Sequence, residues 1–346
     1  LFNLFFIKII SAEIVTLDDG RTVDLKEDGT FTVISENTND NFENSVINLL
    51  DLLTIDYESI EFIKSKIILK RVTIDDLLVE EFILDNLNKD YINNLNLNSL
   101  DTYKGQLFEN LSMKTISSAN GDFKIDFFEL KKLDFKETRL LQDIMLGEEL
   151  KPFDFLTIID SLSFQNMTID NIALADSNFY GYLDSLTLNN FKNSSLDQLT
   201  YKNLEVENDV SLVKIDEFEL RKLKFNSPSK YKDQFNDFKH PREFFLFFDS
   251  LQSVESKGYY VKVEYGVSIS IDRSIMKNFK TKEINGINIP VSYQAISENA
   301  KLIIDDPLIK SELLKLGYKD LSFNQSNTRV VTHNFARISL ASTRFV

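Results

Sequence analysis

The 346 residues contain no cysteine, which rules out disulfides, thiolate nucleophiles and Cys-ligated zinc or iron–sulfur centres. Histidine is almost as scarce: His240 and His333 lie far apart in unrelated local patterns, and each reads as a surface or core filler rather than a ligand. Ten glycines leave little material for a phosphate-cradling loop, and no dinucleotide or Walker pattern, no G-x-S-x-G and no H-E-x-x-H is present. Tryptophan is absent while Phe outnumbers Tyr 29 to 12, so the interior is built on phenyl rings that need no hydrogen-bond partner. No apolar run reaches the roughly 18 residues of a transmembrane helix. Excess positive charge is missing too: the net charge is −15, with basic residues scattered one or two at a time. That excludes the footprint of a nucleic-acid binder and disfavours docking on an anionic membrane, while leaving room for a single lipid held in an apolar groove.

What remains is the composition of a folded chain, 43% apolar and 27% charged. Residues 1–12, LFNLFFIKIISA, read as the tail of a secretory signal cleaved after Ala12, without the positive n-region and interrupted by Lys8; a first core strand or helix is the alternative. Asp19-Gly20 and Asp28-Gly29 then separate three short alternating segments, which predicts a small three-stranded meander over 13–36, because Gly supplies the positive φ of tight turns. The carboxylates there lack the spacing of a calcium loop. A polar linker, 35–41, leads into a repetitive domain over 42–346.

That domain writes one phrase twice: KIDFFELKKLDF at 124–135 and KIDEFELRKLKF at 214–225, identical at nine of twelve positions. Apolar positions Phe128, Leu130, Leu133 and Phe135 are spaced 2, 3, 2. On a helix these four share no stripe, whereas two short strand pieces fit, their phase shifted across Lys131-Lys132 by a bulge or bend. The spacing recurs without the phrase, at Ile67 to Ile74, Leu77 to Leu84, Leu162 to Ile169 and Leu199 to Val206, and Phe218 to Phe225 carries it in the second copy. The central polar pair is basic, acidic or amide in different copies, so what repeats is geometry. The predicted class is mainly β, a β-rich α+β fold built on a long, curved, mostly antiparallel sheet with a few inserted helices. A leucine-rich-repeat-like or β-helical solenoid, suggested by LDSLTLNN at 183–190, is the alternative.

The run I-D-x-F-E-L-x-K-L-x-F, the D-S-L-T-L-N-N strand and the block NIPVSYQAISENAKLIIDDPLIKSELLKLGYKDLSF at 288–323 resemble the AsmA-like and related β-rich envelope proteins of Gram-negative bacteria. The resemblance spans roughly residues 60–326. It implies a curved sheet with an apolar inner surface, a periplasmic location and an association with lipid or outer-membrane homeostasis. The chain departs from that family's membrane-anchored plan in carrying at most a cleavable leader.

Helices are expected at 42–53, 137–149 and 306–316, the last with Asp306 as N-cap, Pro307 at the first helical position and Gly317 as stop. HPREFFLFFDSL at 240–251 predicts a fourth, over 241–254, whose Phe244, Phe245, Phe247, Phe248 and Leu251 cover more than one face. Burying each Phe is worth about 1.5–3 kcal/mol, so something covers them. They either cap the core or form a lid that meets an acyl chain or a partner, and these five are the candidate ligand-binding residues. GYYVKVEYGVSISID at 258–272 reads as one long strand, INGINIPVSYQAIS at 284–297 as another, and FARISLASTRFV at 335–346 as a third. No catalytic residue, metal ligand or cofactor is indicated. The leading expectation is a non-catalytic exported protein that binds a lipid or other apolar ligand on a Phe-rich sheet. A structural or protein-interaction scaffold in the envelope is its rival, and an unrecognised carboxylate-based hydrolase stands third.

Overall fold

The computed structural model describes residues 13–16, 22–25, 31–35, 42–52, 55–74, 76–89, 105–135, 160–226, 248–284, 287–317 and 324–331. Three short strands, β1 (Glu13–Thr16), β2 (Thr22–Leu25) and β3 (Phe31–Ser35), pair antiparallel in that order, the meander expected from the two Asp-Gly pairs. A second sheet of 13 strands follows: β4 (Ser59–Ile63), β5 (Lys66–Ile74), β6 (Leu77–Asp85), β7 (Gly105–Ser118), β8 (Phe123–Phe135), β9 (Leu162–Asp176), β10 (Phe179–Lys192), β11 (Ser195–Asn208), β12 (Ser211–Phe225), β13 (Phe248–Val263), β14 (Val267–Ile284), β15 (Ile287–Ile304) and β16 (Asn324–Val331). Each pairs antiparallel with its neighbour in sequence, so the fold is mainly β and the parallel solenoid alternative is excluded.

Helix α1 (Phe42–Leu52) lies where the periodicity places it, and its Val46 and Leu50 are buried in the same apolar cluster as residues of β5 to β14. Helix α2 (Pro307–Lys315) starts at the proline, and the Asp306 carboxylate caps it by accepting the Ile309 N–H at 2.8 Å. The stretches 1–12, 137–149 and 335–346 lie outside the described residues. Two readings need correction. The helix over 241–254 is contradicted from Phe248 onward, because Phe248–Val263 is strand β13. The single strand over 258–272 is a hairpin, β13 and β14 joined by one 3-10 turn at Glu264–Gly266.

The shifted spacing has a definite backbone cause. Arg71, Thr115, Asn171, Asn203, Gly258 and Asn299, on alternate strands β5 to β15, all have φ between 48° and 62°. Each faces a carboxylate on the intervening strand, in the order Glu80, Asp126, Asp184, Asp216 and Asp272. A second line crosses the other strands through Asn86, Lys132, Asn190, Lys222 and Asn278, with φ between 51° and 55°. It faces Glu109, Gln165, Asp197 and Gln252. One residue on each strand drops out of the pairing at nearly every crossing, so the register continues and the feature is a bend rather than a bulge carrying an extra residue. Every 2, 3, 2 segment sits on one of these two lines.

The alternation of the strand inverts at each bend, both where the residue is left-handed, as Asn171, and where it faces a left-handed neighbour, as Gln165. The apolar side chains therefore stay on one face as the strand crosses two bends, which gives 2, 3, 2, 3, 2 for Leu162, Phe164, Met167, Ile169, Ile172 and Leu174 of β9. The left-handed conformation costs an ordinary L-residue about 1–2 kcal/mol, and Asn tolerates it because its amide bonds locally. Asn171 Nδ2 donates to Asp126 at 3.0 Å, Asn299 Nδ2 to Asp272 at 2.8 Å, and Asn203 Nδ2 to Asp184. The Asn203 amide, followed by the Tyr182 hydroxyl, holds the Asp184 carboxyl below its ordinary range. Asn203→Val is expected to lower the unfolding free energy by about 1–2 kcal/mol in urea titrations and Asn203→Gly by clearly less. Equal losses would contradict the role assigned to the bend.

Candidate functional site

Antiparallel register turns the apolar positions into continuous rows across the sheet. One row runs Leu111, Leu130, Met167, Leu188, Leu199, Leu220, Val254, Met276 from β7 to β14. Beside it runs Met113, Phe128, Ile169, Leu186, Tyr201, Phe218 from β7 to β12. Facing apolar pairs about 5 Å apart are the unit that stabilises such a sheet.

The coverage of these rows changes along the sheet. The largest fully buried side chains, Phe128, Ile67, Leu69, Ile125, Ile169, Val72 and Val79, all belong to β5, β6, β8 and β9, in the cluster that includes Val46 and Leu50 of α1. Ile169 is 0% exposed, whereas its row partners Leu186, Tyr201 and Phe218 are only half-buried. Tyr201 and Phe218 stack with centroids 4.6 Å apart and planes 7° apart, and burial pushes the Tyr201 phenol up. Outside these rows, Leu174 of β9 and Ile269 of β14 are 39% and 41% exposed. Over β10 to β14 the band through Phe191, Leu196, Leu223, Leu251 and Phe279 stays buried, and the half-open part of the face is the two rows beside it.

Phe244, Phe245 and Phe247 lie outside the described residues. Phe248 opens β13 and pairs with Phe225 of β12. Leu251 is buried at 7%, between Leu223 and Phe279 in the register, so it is a core residue of a strand and not part of a lid helix. The residues the structure brings together instead are Leu186, Leu188, Leu199, Tyr201, Phe218 and Leu220. Their signal in the sequence was the 2, 3, 2 spacing, which marks the face but not how much of it is covered.

The opposite face is polar and internally paired. Glu81 lies between Lys70 and Lys114, and these two ammonium groups, Lys114 first, hold its carboxyl below the usual range. Arg273 bridges Glu255 at 2.8 Å and Glu298 at 3.5 Å. Asp170 differs from these: burial, and then the charge of Glu129, push its carboxyl above the ordinary value of 3.8. Glu129 is itself paired with Lys131 at 2.7 Å. Because the folded state raises Asp170, its ionisation opposes folding above the ordinary carboxyl range, and the effect vanishes at pH values below that range. Asp170→Asn is therefore expected to raise the melting temperature at pH 7 by a small amount and to leave it unchanged near pH 3; the opposite pH trend would contradict the shift.

Among the described residues, no group of three or more His, Asp or Glu is placed to hold a metal ion, and no helix is long and apolar enough to cross a membrane. No protein-family model, no curated protein and no solved structure matches the chain.

Proposed function

We propose that the half-open apolar rows over β10 to β14 hold a lipid acyl chain or a ligand of similar apolarity, in a non-catalytic exported protein of the bacterial envelope. The observation that carries this reading is the contrast along single rows, from Ile169 at 0% exposure to the half-buried Leu186, Tyr201 and Phe218. Covering the exposed remainder of such side chains is favourable by about 25 cal/mol per Å² of apolar surface removed from water. The row geometry suits an extended hydrocarbon, since it offers a strip one or two side chains wide and several strands long. The periplasmic setting rests on the resemblance of the strand motifs and on the signal-like residues 1–12.

The test is to purify the protein without detergent after export and identify co-purifying lipids by mass spectrometry, with an unrelated exported protein as control. Near-stoichiometric lipid that is lost in Leu199→Asp and Leu220→Asp variants, both still folded by circular dichroism, is the expected result. A stable, lipid-free protein would contradict the reading. A scaffold role is favoured by a different observation: Leu308, Leu314 and Leu316 on and just after α2 are 78%, 58% and 72% exposed, as a helix awaiting a protein partner would be.

A further inference from the structure

A groove of about 740 Å³ crosses the polar face, and a second of about 510 Å³ shares Gln165, Asn190 and Asp197 with it, so the two form one trough along the second line of bends. The larger one is lined only by polar and charged side chains. Its floor is a directed amide relay. Asn166 Nδ2 donates to Asn189 Oδ1 at 2.8 Å, Asn189 Nδ2 to Gln198 Oε1 at 3.2 Å, and Gln198 Nε2 to Glu219 Oε1. Thr168 Oγ1 adds a donor to Asn166 Oδ1 at 3.1 Å. The relay fixes which way each amide points. Each still has a second N–H and a second lone pair, repeated at the strand spacing of about 4.8 Å.

Within the larger groove the charges are already matched. Lys131 is paired with Glu129 at 2.7 Å, Arg221 with Glu219 at 2.9 Å, and Lys222 with Asp197 at 3.5 Å, where Asn190 also donates at 3.2 Å. There an anionic ligand finds each cation already beside a carboxylate, and an apolar one finds no apolar side chain. A neutral chain bearing hydroxyl groups at regular intervals satisfies both the donors and the acceptors. We propose that the larger groove, over Asn166, Asn189 and Gln198, binds a neutral, linear polysaccharide on the face opposite the apolar rows.

Gln165 and Gln252 line the trough, are exposed and lie outside the amide relay, so replacing them removes ligand contacts without disturbing the floor. The test titrates the full chain by calorimetry with cellohexaose, maltohexaose and chitohexaose, and with dextran sulfate as the anionic control. Saturable binding of at least one neutral hexasaccharide is expected, weakened about three- to tenfold in Gln165→Ala and Gln252→Ala, as for loss of one neutral hydrogen bond, and unchanged in Leu220→Ala on the other face. The last arm separates this proposal from lipid binding, since Leu220 belongs to the apolar rows. No saturable binding of any neutral hexasaccharide would overturn the proposal. So would equal affinity in the two Gln variants, a loss in Leu220→Ala comparable with theirs, or binding confined to dextran sulfate.

Discussion

Phe128→Ala is expected to lower the unfolding free energy by about 3–5 kcal/mol, the range for removing a buried phenyl ring and leaving a cavity. Phe128 is 2% exposed, in the same apolar cluster as Val46 and Leu50 of α1, so surrounding side chains have little freedom to collapse into the space. Leu199→Ala, on the half-open part of the same face, is expected to cost only about 1 kcal/mol, because part of the removed surface was never taken from water. Ligand affinity should show the reverse order, with Leu199→Ala weakening lipid retention and Phe128→Ala leaving it intact wherever the protein stays folded. Urea unfolding and lipid quantification on both variants give the four numbers; similar stability losses would mean that the two positions are equally buried.

Gly258→Ala is expected to cost about 3 kcal/mol by the same measurement. Gly258 lies on the first line of bends with φ +62°, where Ala pays about 1–2 kcal/mol for the left-handed backbone. The added Cβ would also stand 1.9 Å from Asp216 Oδ2 and 2.9 Å from its Cβ, so the carboxylate facing the bend must leave. At Asn171, Asn203 and Asn299 the facing carboxylate instead accepts a hydrogen bond from the amide. In a double-mutant cycle with Asp216→Gly, the steric part should be recovered and only the backbone part should remain. Full additivity would show that the two residues do not meet across the bend.

The sequence makes the bends readable and hides what they imply elsewhere. Lys131-Lys132, Lys202-Asn203 and Lys70-Arg71 stood out because an apolar spacing of 3 between spacings of 2 fits neither a plain strand nor a helix, and positive φ at Lys132, Asn203 and Arg71 is its cause. The same spacing misleads where only one bend falls in a short window. Phe248, Leu251 and Val254 are three apart, as on a helix face, yet Leu251 and Val254 are consecutive inward positions on either side of the bend at Gln252. Helices α1 and α2 were legible because caps and i, i+3, i+4 periodicity are local. The hairpin at Glu264–Gly266 was not, since the alternation of YVKVEYGVSIS runs through the turn without a polar break.

The polar trough could not be read at all. Glu129, Asn166, Asn189, Gln198, Arg221 and Gln252 come from six strands spread over more than a hundred residues, and only the antiparallel register brings them together. Taken singly, each is the unremarkable polar half of an alternating strand. The half-open state of the apolar rows was equally hidden, because Ile169 and Tyr201 occupy the same row and the spacing that places them there carries no information on exposure.

Site-specific photocrosslinking tests the central claim most directly. A benzophenone side chain placed at position 199, in an apolar row, or at position 198, on the amide floor of the opposite face, is irradiated in cells and the protein is weighed intact by mass spectrometry. The account predicts lipid-sized adducts at 199 and none at 198. Adducts of equal yield at both positions, or none at 199, would contradict a lipid-holding apolar face.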